Sequence, residues 1–121
     1  MKKNIAIFLD RDGTINEEAG YLDSEDKLQI IPAAYDAIEL INKAGIKAVV
    51  VTNQAGIAKG LFTEEFVRSI HDRIQIALFE RGAFLDRFYF CPHHPTDGVA
   101  PYRKVCDCRK PEPGLLLQAA G

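Results

Sequence analysis

No stretch of this sequence stays apolar for long. The start, M-K-K-N-I-A-I-F-L-D, has a basic tip and an apolar run, but the run meets Asp10 after five residues. A membrane span needs about 20, and a signal peptide also needs a longer core, so neither is expected. An excess of one charge is missing too. Lys and Arg number 15 against 17 Asp and Glu, net -2, whereas a nucleic-acid surface needs a strong basic excess. Cysteine is scarce: there are three, an odd count that argues against a disulfide framework. No C-x-x-C is present, which disfavours thiol redox chemistry. Neither an internal repeat nor a low-complexity tract is found. What remains is a cytoplasmic domain of 121 residues, 47% hydrophobic, with a modest core and a small molecule as its expected partner.

The apolar residues come in alternating short runs and helical stripes. Ile5 to Leu9, bounded by charge, reads as a fully buried strand. Residues 10–31 are polar and long for a connection, which suits a binding loop or small flap. Pro32 opens a helix with Ala34, Ile38 and Ile41, joined by Ala37 and Leu40, as its buried stripe, and Gly45 ends it. Ile46 to Val51 is a second strand. Thr63 caps a helix carrying Glu64 and Glu65 in its first turn and Phe66, Ile70, Ile74, Ala77 and Leu78 on its inner face. His71, in that helix, reads as an ordinary helix residue. Phe88 to Phe90 is a third strand, and a last helix starts near Gly114. The β-α-β-α-β order implies a parallel sheet covered by helices.

Chemistry gathers where strands end. D-R-D-G-T, Asp10 to Thr14, stands directly behind the first strand, at the sheet edge where open α/β folds bind ligands. Carboxylates as close as Asp10 and Asp12 repel unless a cation lies between them. A divalent metal supplies that charge, and a phosphate completes the site. Thr52, Asn53 and Gln54 end the second strand on the same edge, and their hydroxyl and amides can hold a phosphate oxygen without adding negative charge. Asp and Gly are also common turn residues, so the pentad alone is compatible with a plain strand-end turn.

The cysteines fall into C-x-H and C-x-C arms, Cys91-Pro92-His93 and Cys106-Asp107-Cys108. Three thiolates and one imidazole make a tetrahedral zinc set with no open position, hence a structural site. The loop between holds few residues that could build a core, so a metal would replace the missing packing. His94 is the neighbouring alternative to His93. Arg109 and Lys110 follow at once, two cations on a stiffened loop that suit a dianionic phosphate, with Lys as point charge and Arg as fork.

Together F-L-D-R-D-G-T-I-N, V-V-V-T-N-Q-A-G-I-A-K-G, C-P-H-H-P and C-D-C-R-K-P-E-P-G resemble the haloacid dehalogenase superfamily of phosphatases, over nearly the whole chain. The cysteine arms running into R-K-P resemble a small branch that includes the histidinol-phosphate phosphatases. The resemblance implies a three-layer Rossmann-like parallel sheet and a magnesium-dependent phosphatase of a sugar bisphosphate. It implies Asp10 as nucleophile, Asp12 as general acid and base, and Thr52 and Lys110 steadying the phosphoryl group. Arg109 recognises the substrate, and Arg11, Glu18, Ala19, Gly20, Tyr21, Asn53, Gln54 and Ala55 belong to the substrate site. It further implies that magnesium binds the Asp10 side chain and the Asp12 carbonyl, and that zinc binds Cys91, His93, Cys106 and Cys108. Family members carry a further G-D-x-x-x-D motif after a fourth strand, which is not found before Gly121. The expectation is therefore one phosphatase domain, 1–121, truncated after the third strand, with a zinc loop at about 91–108. Its expected partner is a separate C-terminal fragment, or it is a monomer. Histidinol phosphate as substrate, or an inactive zinc-stapled phosphate-binding fragment, are the competing readings.

Overall fold

Three short apolar runs, each ending in polar residues, build the sheet. In a computed structural model that describes residues 5–18, 20–110 and 114, they form β1 (Ala6–Leu9), β2 (Lys47–Asn53) and β3 (Arg87–Cys91). The order is β1-β2-β3. Both pairs are parallel, with Leu9 beside Val50 and Asn53 beside Cys91. Parallel pairing follows from the crossovers, each of which carries a helix: α1 (Pro32–Lys43) and α2 (Glu64–Glu80). Pro32 stands in the first turn of α1. The Thr63 hydroxyl caps α2 by accepting from the Phe66 amide at 3.0 Å, as the sequence predicts.

The alternation along β2 decides what covers each face. Ala48 and Val50 point to the face where α1 contributes Ala34 and Ile38 and α2 contributes Ile70, Ile74 and Leu78. Val49 and Val51 point the other way, against Cys91, Cys106, Cys108 and Tyr89. The helices thus share one face and the cysteine loop roofs the other. Each fully buried Ile or Leu contributes roughly 1.5–3 kcal/mol, and Ile74→Ala would cost about 2–5 kcal/mol.

Three expectations need correction. Ile5 to Leu9 is not a buried strand: Ile5, Ile7 and Phe8 are exposed, Phe8 at 41%. Among the described residues the sheet stops at β1, so one edge of that strand has no neighbour. Ala37 and Leu40 are also exposed. The buried stripe of α1 is narrower than the sequence implies: Ala34 and Ile38 are buried in the core, with Tyr35 and Ile41 partly buried against it. The second strand runs on to Asn53, carrying Thr52 into the ladder.

The long connection after β1 is anchored at both ends. Glu17 N donates to Gln29 O and Ile31 N to Ile15 O, each at 2.8 Å, while Ile15 and Leu22 enter the core. The last helix expected near Gly114 lies outside the described residues, apart from Gly114 itself. No helix among the described residues is long and apolar enough to cross a membrane.

Candidate active site

The C-terminal ends of β1 and β2 open on a cleft of about 250 Å³. Asp10, Asp12, Glu18, Gly20, Tyr21, Leu22, Thr52, Asn53, Gln54, Ala55, Gly56 and Lys110 line it. Three segments far apart in sequence therefore meet at one sheet edge. Gly13 makes the first turn possible: its φ of 82° is a left-handed conformation that side chains disfavour. The turn closes as the amides of Thr14, Ile15 and Asn16 all approach the Arg11 carbonyl, at 3.1, 2.8 and 3.2 Å.

Asp10 is half exposed. Its Oδ1 accepts from the Arg11 amide at 2.9 Å and from Lys110 Nζ at 3.0 Å. Lys110 Nζ also donates to the Val51 carbonyl at 2.9 Å. Asn53 clamps the Lys110 peptide from both sides, accepting its N–H at 2.8 Å and donating to its carbonyl at 3.1 Å. Gln54 Nε2 bridges Asp12 Oδ2 at 3.1 Å and the Thr52 hydroxyl at 3.0 Å. Asp12 Oδ1 takes Arg11 Nη2 at 2.8 Å and Asn16 Nδ2 at 3.0 Å. Burial would raise the Asp12 pKa, but the Arg11 charge, with hydrogen bonds from Asn16, Arg11 and Gln54, overrides it and leaves the group below its usual range.

Of the residues expected in the substrate site, Arg11 is placed differently. Its side chain is buried and turned beneath Asp12, because its charge is drawn to that carboxylate and to His71 rather than to the cleft. Arg109 lines an adjoining depression with Lys104 and Lys110, and its Nη1 donates to the His93 carbonyl at 3.2 Å. Ala19 lies outside the described residues. The sequence reading missed Asn16 and His71. Nothing in the pattern marks Asn16. For His71 there was a signal: its spacing from Val67, Ile74 and Leu78 puts it on the buried face of α2. Burial pushes its pKa down to about 3.

The cysteine arms meet on the opposite face. One ligand atom from each of Cys91, His93, Cys106 and Cys108 lies within 4.8 Å of all the others. Cys91 Sγ stands 3.5 Å from Cys106 Sγ, and His93 Nδ1 stands 3.3 Å from Cys108 Sγ. His94 is engaged elsewhere, its Nδ1 accepting from the Thr96 and Asp97 amides at 3.2 and 2.9 Å. Burial pushes the Cys91 thiol up.

Comparison with known proteins gives the same class of molecule. No protein-family model matches the chain. A curated D-glycero-beta-D-manno-heptose-1,7-bisphosphate 7-phosphatase from Yersinia pestis is 50% identical over 114 residues, 94% of this chain and 61% of that protein. The protein of the same name from Escherichia coli K12 is 48% identical over 120 residues, 98% of this chain and 63% of its own. The crystal structure of a HAD-like phosphatase candidate from Mesorhizobium loti superposes with a TM-score of 0.89 at 40% identity, covering 95% of this chain and 55% of that one. The D,D-heptose 1,7-bisphosphate phosphatase of B. bronchiseptica, solved with magnesium and phosphate, gives 0.84 at 37% identity, covering 96% and 62%. The fold is that of the haloacid dehalogenase superfamily. Within it, the sequence is a homologue of the D-glycero-D-manno-heptose-1,7-bisphosphate 7-phosphatases and spans 61% and 63% of the two curated relatives.

Proposed function

We propose that the protein is a magnesium-dependent phosphatase that removes the 7-phosphate of D-glycero-D-manno-heptose 1,7-bisphosphate through an aspartyl-phosphate. The observation that carries the reading is the convergence of Asp10, Asp12, Thr52 and Lys110 on one cleft, in a chain homologous to enzymes of that name. In the proposed reaction an Asp10 carboxylate oxygen attacks phosphorus and the bond to the sugar oxygen breaks. Asp12 donates a proton to the leaving alkoxide, then takes one from the water that hydrolyses the acyl phosphate. Lys110 and the Thr52 hydroxyl hold the equatorial oxygens as charge develops on them. Glu18, Gly20, Tyr21, Ala55 and Arg109 shape the site around the sugar.

The oxygens present suit magnesium, a hard cation that keeps several waters. Asp10 offers a half-exposed carboxylate, and the Asp12 main-chain carbonyl accepts no hydrogen bond among the described residues. Bound there, the ion would offset charge on the phosphate. The Cys91, His93, Cys106 and Cys108 cluster supports structural zinc. A zinc–sulfur bond of about 2.3 Å gives tetrahedral edges near 3.8 Å, close to the Cys91–Cys106 separation of 3.5 Å. Zinc there would fix the 91–108 loop and hence Arg109 and Lys110. The test is phosphate release from the heptose bisphosphate and from histidinol phosphate with magnesium. Faster release from histidinol phosphate would reject the substrate assignment.

A further inference from the structure

A buried chain of contacts runs from β3 to the Asp12 carboxylate, through two residues that the proposed chemistry does not use. Phe88 stacks on the His71 ring at 4.4 Å and 16°, and Phe90 meets it edge-on at 6.0 Å. His71 Nε2 faces Arg11 Nη1 at 3.3 Å. Arg11 then grips Asp12 Oδ1 with Nη2 at 2.8 Å and Nε at 3.3 Å. Arg11 is 1% exposed and His71 4%. A guanidinium only donates hydrogen bonds, so His71 Nε2 must be unprotonated and acting as acceptor. The depressed pKa of the ring agrees with that state.

A buried cation is costly unless it is paired and hydrogen-bonded. A surface arginine could neutralise Asp12 more cheaply, so charge alone does not account for the buried placement. What burial adds is direction. Oδ1 is held by Arg11 and Asn16, whereas Gln54 is the described side-chain donor to Oδ2. On the phosphatase reading, on which this step rests, we infer that Arg11 and His71 are positioning residues for proton transfer by Asp12. They fix Oδ1 and leave Oδ2 to carry the proton. The aromatic pair Phe88 and Phe90 fixes the imidazole, which fixes the guanidinium, so the acid is braced from the sheet itself.

Two measurements test this, on the enzyme at its natural length with magnesium. The first compares kcat/KM, which reports events up to leaving-group departure, for an alkyl and an aryl phosphate monoester. The alkoxide needs a proton and the phenolate of an acidic phenol does not. His71→Phe keeps the stacking but removes the acceptor. It should lower kcat/KM on the alkyl ester about tenfold and on the aryl ester less than about twofold. His71→Gln, which can still accept from Arg11, should recover most of the loss. Equal losses on both esters, or none on either, would overturn the inference. The second follows the His71 ring nitrogens of the unmodified protein by long-range ¹H–¹⁵N NMR. The expected result is an unprotonated Nε2 from about pH 5 to pH 8. A protonated Nε2 would overturn the inference even if the variants fail to fold. Absence of all phosphatase activity would instead speak against the proposed function, and the NMR result would still decide the Arg11–His71 contact.

Discussion

The Lys110 amine stands 3.0 Å from the Asp10 carboxylate, although the two are far apart in sequence. The pair forms because the Asn53 amide clamps the Lys110 peptide to the end of β2. A side chain at a strand terminus thus positions a charge delivered by a distant loop. On the phosphatase reading this would favour catalysis, because the cation would be in place before the phosphate arrives and no reorganisation would be needed as charge develops.

Lys110→Met should lower turnover by about a hundredfold to a thousandfold, with the fold unchanged by circular dichroism. Asn53→Ala leaves the amine but frees its backbone. Its expected loss is smaller, about tenfold. An Asn53→Ala enzyme as fast as the unmodified one would show that the clamp is dispensable.

On the zinc reading, removing the metal should loosen the 92–110 segment before it disturbs the sheet. Hydrogen exchange after chelation should speed up there while β2 amides stay protected. Phosphate release should fall with it, because Lys110 follows directly on Cys108 and Arg109. X-ray absorption on the metal-loaded protein should give three sulfur ligands and one nitrogen. An oxygen-rich shell would contradict the assignment.

His71 predicts a pH dependence of stability. Its pKa falls from 6.5 to about 3 because the ring is buried and the Arg11 charge is near. The unfolded chain therefore binds a proton below about pH 6.5 that the folded chain refuses. This contribution is complete above that pH and is lost as pH falls toward 3, at about 1.4 kcal/mol per unit within the window. Denaturant unfolding at pH 7.5 and pH 5 should show the loss, roughly 2 kcal/mol. His71→Phe should remove that component of the pH slope. An unchanged slope would mean that another group titrates.

Much of the architecture was legible because hydrophobic period and cap chemistry are local. The Thr63 cap, the Pro32 start and the three strands needed no tertiary information. The cysteine arms were legible too, since ligand spacing is a property of a short segment. What could not be read depended on neighbours. Phe8 is exposed because nothing described flanks β1, and an apolar strand looks the same in sequence at an edge and at a centre. The resemblance puts Arg11 in the substrate site, but the side chain turns inward to the Asp12 carboxylate and to His71, and the contact with His71, 60 residues on, depends on the fold.

Gly98 marks where the cysteine loop meets the loop after β2. A Cβ there would lie 2.0 Å from the Ala58 carbonyl oxygen, and its φ is 91°. The contact it protects is Val99 N donating to Ala58 O at 2.8 Å. Gly98→Ala should destabilise the protein by about 2 kcal/mol or more through strain and overpacking. Thermal unfolding measures it, and an unchanged midpoint would show that the loops can separate freely.

The central claim is covalent catalysis by Asp10. Acid-quenched mass spectrometry during turnover of the heptose bisphosphate with magnesium tests it directly. The account predicts a phosphoryl adduct on the peptide carrying Asp10, absent in Asp10→Asn along with nearly all phosphate release. Undiminished phosphate release by Asp10→Asn, or an adduct mapped to another residue, would contradict it.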